Sequence, residues 1–130
     1  MIRAIGIDAV DIDRFDKWVD FSPHRLNRIF SNEEIEYCTK NKAKTAERLA
    51  ARFATKEAFY KAYCAANLHT PPAFLTFCKL VAVYNAPNPR LAIGWDALLS
   101  PTQLAGLKLK THLSITHTAK SAIAVVIIED

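Results

Sequence analysis

Residues 45–66 read TAERLAARFATKEAFYKAYCAA. The stretch lacks Gly and Pro and is built from Ala, Glu, Lys, Arg and aromatic residues, most of which lose little in a helix. It predicts one long helix over 45–66, with Thr45 placed to cap it. Leu49, Phe53, Tyr60 and Cys64 mark an apolar stripe, widened by the alanines around them. Everything else in the chain is shorter and has to pack against this element. Toward the N-terminus, residues 2–8 alternate as a strand, with Ile5 and Ile7 on one face and Ala4, Gly6 and Asp8 on the other. Residues 11–19 predict a short helix presenting Phe15, Trp18 and Val19. Ser31 and Glu34 have the spacing of a capping box, which starts another helix.

Toward the C-terminus, Thr70-Pro71-Pro72 breaks the chain. Residues 74–84 alternate around Phe77, Leu80, Val81 and Val83 and predict a strand. Asn85 to Pro89 is a turn, and Arg90 to Ile93 a returning strand. Trp95 to Leu104 reads as helical, split at Ser100-Pro101. Residues 110–117 and 121–129 form a closing hairpin turned at Thr118-Ala119-Lys120. The last strand is apolar on both faces, as a central strand is. The fold class is therefore α+β: a single small domain over 1–130, its antiparallel sheet packed against one long helix and shorter helices.

Composition narrows the function classes. Of the 130 residues, 51% are hydrophobic and 23% charged, which excludes a disordered or collagen-like chain. No apolar run reaches the ~18 residues of a membrane span. The opening MIRAIGIDAVDIDRF carries acids in its apolar run, unlike a signal peptide. Cys38, Cys64 and Cys78 are widely spaced and form no C-x-x-C motif, so a reduced, cytoplasmic setting is expected. Cys64 and Cys78 are expected to be buried thiols. The net charge of +4 is concentrated in residues 40–52, where Lys40, Lys42, Lys44, Arg48 and Arg52 face a single acid, Glu47. A solvated helix face is one reading of such a cluster, and an anion site is another.

Two acids are placed for chemistry. Asp8 ends an apolar strand, and Glu57 lies in the middle of the long helix with Lys61 at i+4. Paired carboxylates from different elements, with lysines nearby, suit Mg²⁺ and a phosphate-bearing substrate. His117, in S-I-T-H-T, can reach a phosphate or a ribose. The three glycines are too few for a Walker loop or a dinucleotide fingerprint, and no zinc spacing occurs.

The motifs taken in order carry a resemblance. G-I-D at 6–8 followed by R-F-A-T-K-E-A-F-Y-K at 52–61 resembles the two-part signature of the 4′-phosphopantetheinyl transferases. The run from Asp8 to Phe15, R-L-x-R-I-F-S-x-x-E-I at 25–35 and the closing S-I-T-H-T-x-x-x-A-I-A-V-V-I resemble the holo-acyl-carrier-protein synthase branch. The similarity extends from Ile5 to Ile128.

The resemblance implies transfer of the phosphopantetheine arm of coenzyme A to a serine of an apo-acyl carrier protein, within fatty acid biosynthesis and lipid metabolism. It implies Mg²⁺ on Asp8 and Glu57, and Asp8, Glu57 and Lys61 as the catalytic group. A metal-bound water or Glu57 itself would take the serine proton. The position of a third acid in larger relatives is Val10 here, so water is expected to complete the metal shell. Arg52, Lys56, Lys61 and His117 are implied to bind the cofactor, with Lys44 from the basic stretch joining them. Arg14, Arg25 and Arg28 would dock the acidic carrier protein. A homotrimer with active sites at subunit interfaces follows, with no nucleic acid and no membrane. The family's Gly-rich turns read C-A-A-N-L-H-T-P-P-A-F and Asn85-Ala86-Pro87-Asn88-Pro89-Arg90 here, and Asn88 is expected to supply the positive φ of the missing glycine. The competing reading is a basic, non-catalytic module for an acidic partner or RNA. The chain lacks the glycine-interleaved stacking aromatics of single-strand readers.

Overall fold

The computed structural model describes residues 1–130. Its elements are β1 (Ile2–Asp11), a 3₁₀ segment (Ile12–Asp20), α1 (Pro23–Leu26), α2 (Asn32–Thr39), α3 (Thr45–Ala66), α4 (Phe74–Lys79), β2 (Val81–Tyr84), β3 (Arg90–Ile93), α5 (Trp95–Leu98), α6 (Pro101–Leu104), β4 (Lys110–His117) and β5 (Ser121–Glu129). The main sheet is antiparallel and three-stranded, in the order β1-β5-β4, and β2 pairs with β3 in a separate hairpin. The apolar final strand is central, as its two-faced pattern requires.

The long helix lies against β1 and β5 on a face made of alanine. Ala50, Ala54, Ala58 and Ala62 recur every four residues and are fully buried. Opposite them the sheet offers Ala4, Gly6, Ala122 and Ala124. Small residues on both sides let the helix backbone approach the strands closely. Gly6 is the tightest point. A Cβ there would run into the Ala58 carbonyl oxygen and lie 2.8 Å from the Ala62 nitrogen. Gly6→Ala is therefore expected to cost about 3 kcal/mol, the upper range for overpacking, because the atoms it would meet are backbone and cannot rotate away. A denaturant melt within 1 kcal/mol of wild type would refute this close approach.

Four expectations are corrected. Residues 74–79 form α4 rather than the start of a strand, and only 81–84 extend. Phe77 and Cys78 are buried in the α4 turn, so the apolar spacing there served a helix. Thr45 is the first helical residue and not the cap, and its hydroxyl donates to the Asn41 carbonyl. The left-handed residue is Asn67, which closes α3 at φ 52°, whereas Asn88 has no positive φ. Cys64 is exposed, while Cys38 and Cys78 are buried. Burial pushes the Cys78 thiol up to about 12 and that of Cys38 to about 11.

The Ser31–Glu34 capping box forms as expected, with Ser31 N donating to Glu34 Oε1 at 2.9 Å and Glu34 N to Ser31 Oγ at 3.2 Å. The outer face of the sheet is apolar and uncovered. Ile5 and Ile7 on β1 are 57% and 58% exposed, beside Ile123, Val125 and Ile127 of β5. No helix is long and apolar enough to cross a membrane.

Candidate active site

Asp8 and Glu57 are brought together by the close packing of β1 on α3. Asp8 sits where β1 passes under the middle of the helix, and its side chain is 13% exposed. Its Oδ1 accepts from Lys61 Nζ at 2.9 Å, and the same ammonium donates to the Ile7 carbonyl at 3.1 Å. Its Oδ2 is buried and has no hydrogen-bond partner. Burial, and then the charge of Asp8, raise the Glu57 carboxyl above its ordinary range, while Lys61 and Arg14 pull it back. Two carboxylates this near each other, one with a bare buried oxygen, suit a hard divalent cation, which takes one or two such ligands and fills the rest with water or phosphate.

A second cluster lies at the other edge of the sheet. Lys44, Arg48, Arg52, Asn85, Tyr37 and His117 line a cleft of ≈ 300 Å³. Asn85 Nδ2 donates to the Tyr37 hydroxyl at 2.9 Å and Asn85 Oδ1 accepts from Arg52 Nη2 at 3.0 Å. The guanidiniums of Arg48 and Arg52 stand 4.4 and 4.3 Å from the Tyr37 ring centre. Arg52 is buried with no acid bonded to it, and its Nε is unpartnered. The one acid, Glu47, is held by His117 Nε2 at 2.7 Å. The cleft is thus cationic and supplied with donors, which is what a phosphate group needs.

The basic stretch 40–52 divides: Lys40, Lys42 and Lys44 are exposed, whereas Arg48 is half-buried and Arg52 buried. Its two arginines turn inward onto Tyr37. Sequence reasoning missed Tyr37 and Asn85. Arg48 and Arg52 at i, i+4 pointed to the cleft, but nothing in the sequence linked them to Tyr37 on α2 or Asn85 after β2.

Lys56, expected to bind the cofactor, does not reach solvent. It is fully buried, and its ammonium donates to Glu34 Oε1 at 2.8 Å, the Ile29 carbonyl at 2.8 Å and the Cys78 carbonyl at 3.0 Å. All three of its hydrogens are used, so none is left for a phosphate. Glu34 completes the knot by accepting from Val83 N at 3.2 Å.

The three arginines expected to dock a carrier, Arg14, Arg25 and Arg28, are all exposed. Arg25 lies 3.7 Å over the Phe21 ring, and Arg14 lies 4.9 Å over Phe53. Trp18 bridges these two rings at 5.7 and 6.0 Å, so the arginines border one aromatic surface next to Glu57.

The carboxylate centre and the cationic cleft stand on opposite sides of α3. From Arg48 to Glu57, and again from Arg52 to Lys61, nine residues turn the helix about 180°.

Comparison with known proteins gives the chain's relatives. The profile of the 4′-phosphopantetheinyl transferase superfamily matches residues 4–125. The holo-[acyl-carrier-protein] synthase of Treponema denticola is 40% identical over 131 residues, covering 99% of each chain. That of Geobacter sulfurreducens is 37% identical over 131 residues, covering 99% of this chain and 98% of its own. Among solved structures, the Bacillus anthracis holo-(acyl-carrier-protein) synthase in complex with CoA (3′,5′-ADP) superposes with a TM-score of 0.73 at 27% identity, covering 98% of this chain and 96% of that one. The Helicobacter pylori synthase in complex with coenzyme A gives 0.64 at 28% identity, covering 96% and 99%.

Proposed function

The chain belongs to the 4′-phosphopantetheinyl transferase superfamily, and on that premise we propose that Asp8, Glu57 and Lys61 form the transfer centre and that Lys44, Arg48, Arg52 and His117 hold the nucleotide end of coenzyme A. The protein is a holo-acyl-carrier-protein synthase: it transfers the 4′-phosphopantetheine arm of coenzyme A to a serine of an apo-acyl carrier protein. The serine oxygen forms a bond to the phosphorus of the arm, the pyrophosphate P–O bond breaks, and adenosine 3′,5′-bisphosphate leaves. The observation that carries the residue assignment is the bare, buried Oδ2 of Asp8 beside Glu57 and Lys61.

Asp8 and Glu57 are the proposed Mg²⁺ ligands. The ion supplies charge neutralisation at the pyrophosphate when bound. The remaining work falls to side chains of the chain itself. Lys61, whose side chain is half exposed, is the proposed partner of a phosphate oxygen. Glu57, with its raised affinity for a proton, stands where the serine must lose one. Arg14, Arg25 and Arg28 are the proposed contacts for the acidic carrier, steering its approach by long-range attraction.

The proposed assembly is a homotrimer with its sites between subunits. Two features support it: the uncovered isoleucine face of the sheet, and the placement of the two half-sites on opposite sides of α3. The body of the helix, packed between the sheet and α2, α4 and the 3₁₀ segment, separates them. One coenzyme A then spans two copies. The proposed location is cytoplasmic, in keeping with three unpaired thiols.

Incubation with coenzyme A, Mg²⁺ and an apo-carrier protein is expected to add one phosphopantetheine arm, read by intact mass, and sedimentation is expected to give three chains per particle. No added mass across several carriers would overturn the activity, and a catalytically active monomer would overturn the shared site.

A further inference from the structure

We propose that Lys61 is the resident cation of the Asp8–Glu57 site: without metal its ammonium holds Asp8, and a divalent ion entering the site displaces it toward the substrate's phosphates. The inference deepens the proposed function and rests on its reading of Asp8 and Glu57 as a cation site. It begins from the way Asp8 is divided. Oδ1 is held by Lys61 at 2.9 Å, whereas Oδ2 is buried and bare. A carboxylate that is 13% exposed has little access to water, so a cation has to come from the protein or from solution. Lys61 fills that need on one oxygen only, and Glu57 next to it goes without such a partner.

Lys61 is also built to leave. Its side chain is 51% exposed, so it is anchored at its tip, through Asp8 and the Ile7 carbonyl, rather than along its stem. Pairs of this kind contribute little to stability and are readily broken. A divalent ion held by Asp8 and Glu57 would share Asp8 with the ammonium and repel it. Rotation of the half-exposed side chain relieves the repulsion and turns the ammonium outward without repacking the core. The contrast with Lys56, five residues earlier on the same helix, makes the point. That ammonium is enclosed on all sides by three acceptors and has nowhere to go.

Metal binding and phosphate recognition are then coupled through one side chain. The ammonium becomes available to a phosphate only once the metal is in place. The site also avoids presenting two uncompensated carboxylates when it is empty of metal.

The coupling has a readout that needs no turnover. Mn²⁺ affinity is measured by electron paramagnetic resonance or calorimetry on the full-length protein, with neither coenzyme A nor carrier present. Because Lys61 competes with the ion for Asp8, Lys61→Met is expected to bind Mn²⁺ on the order of tenfold more tightly than wild type, within the usual range of site-to-site coupling. Lys61→Arg, which keeps the charge, is expected to stay near wild type, and circular dichroism of each apo variant checks the fold. Equal or weaker Mn²⁺ binding by a folded Lys61→Met protein would overturn the displacement while leaving the cation site standing. Failure of wild type and both variants to bind Mn²⁺ would overturn the cation site and the displacement with it.

Discussion

Two variants that are each inactive are expected to regain activity when they share one particle. Glu57→Gln removes a charge from the transfer centre and keeps the side chain's size. Its turnover is expected to fall by about three orders of magnitude, as when a single strong electrostatic contact at a reacting centre is lost. A cleft variant carrying Arg48→Gln and His117→Gln removes a guanidinium and an imidazole from the other half-site. Its kcat/KM for coenzyme A is expected to fall about a hundredfold, from the loss of one charged and one further hydrogen bond to the ligand. If each site takes its carboxylates from one copy and its cleft from the next, a randomly mixed trimer rebuilds about a quarter of its sites with both halves intact. Coexpression of the two chains should then recover about that fraction of wild-type activity. If each copy held a whole site, mixing would restore nothing, because every site would carry one of the two defects. A mixture no better than its parts, with subunit exchange verified by mass, would return the site to a single chain.

The recovery follows from helix geometry. Arg48 and Glu57, like Arg52 and Lys61, are nine residues apart and so point about 180° apart. That relation can be counted in the sequence, yet it acquires meaning only once the sheet shows what lies on each side. β1 brings Asp8 to one flank of α3, and β4 brings His117 to the other.

The same limit separates what was legible from what was not. The long helix, the closing hairpin, the split at Ser100-Pro101 and the Ser31–Glu34 capping box are local, and each was readable from periodicity or spacing. The inward side of α3 was harder. The large residues Leu49, Phe53 and Tyr60 drew the eye to one stripe, while the face in closest contact with the sheet is Ala50, Ala54, Ala58 and Ala62. Alanine carries a weak hydropathy signal but permits the closest approach. Residues 74–84 failed for a related reason. Apolar residues over six positions fit a helical turn as well as a strand, and burial of Phe77 and Cys78 decided for the turn. The carboxylate pair was visible as residue types, but the i+4 spacing paired Lys61 with Glu57, whereas its ammonium bonds Asp8 across the β1–α3 contact. Tyr37 and Asn85 were not visible, because their role depends on α2 and the turn after β2 meeting over Arg52.

Lys56→Met is expected to destabilise the fold by about 4 kcal/mol, the cost of leaving a buried charge without its partner. The helix signature made Lys56 a candidate for phosphate binding. Its surroundings instead make it the centre of a knot joining Ile29, Glu34 of α2, and Cys78 at the end of α4. Glu34 extends the knot to Ser31 N and Val83 N. Methionine nearly matches the volume of lysine, so a cavity contributes little, and the loss comes from the isolated Glu34 carboxylate and two unpaired carbonyls. Lys56→Arg is no rescue, because a planar guanidinium cannot reproduce three converging contacts to a compact ammonium. Removing both charges separates the alternatives. In Lys56→Met with Glu34→Gln neither charge of the pair remains, and the double variant should cost about 2 kcal/mol less than the sum of the singles. Denaturant melts of the four proteins measure this directly. A Lys56→Met protein of unchanged stability, with only its KM for coenzyme A raised, would restore Lys56 to the ligand-binding surface and remove it from the core.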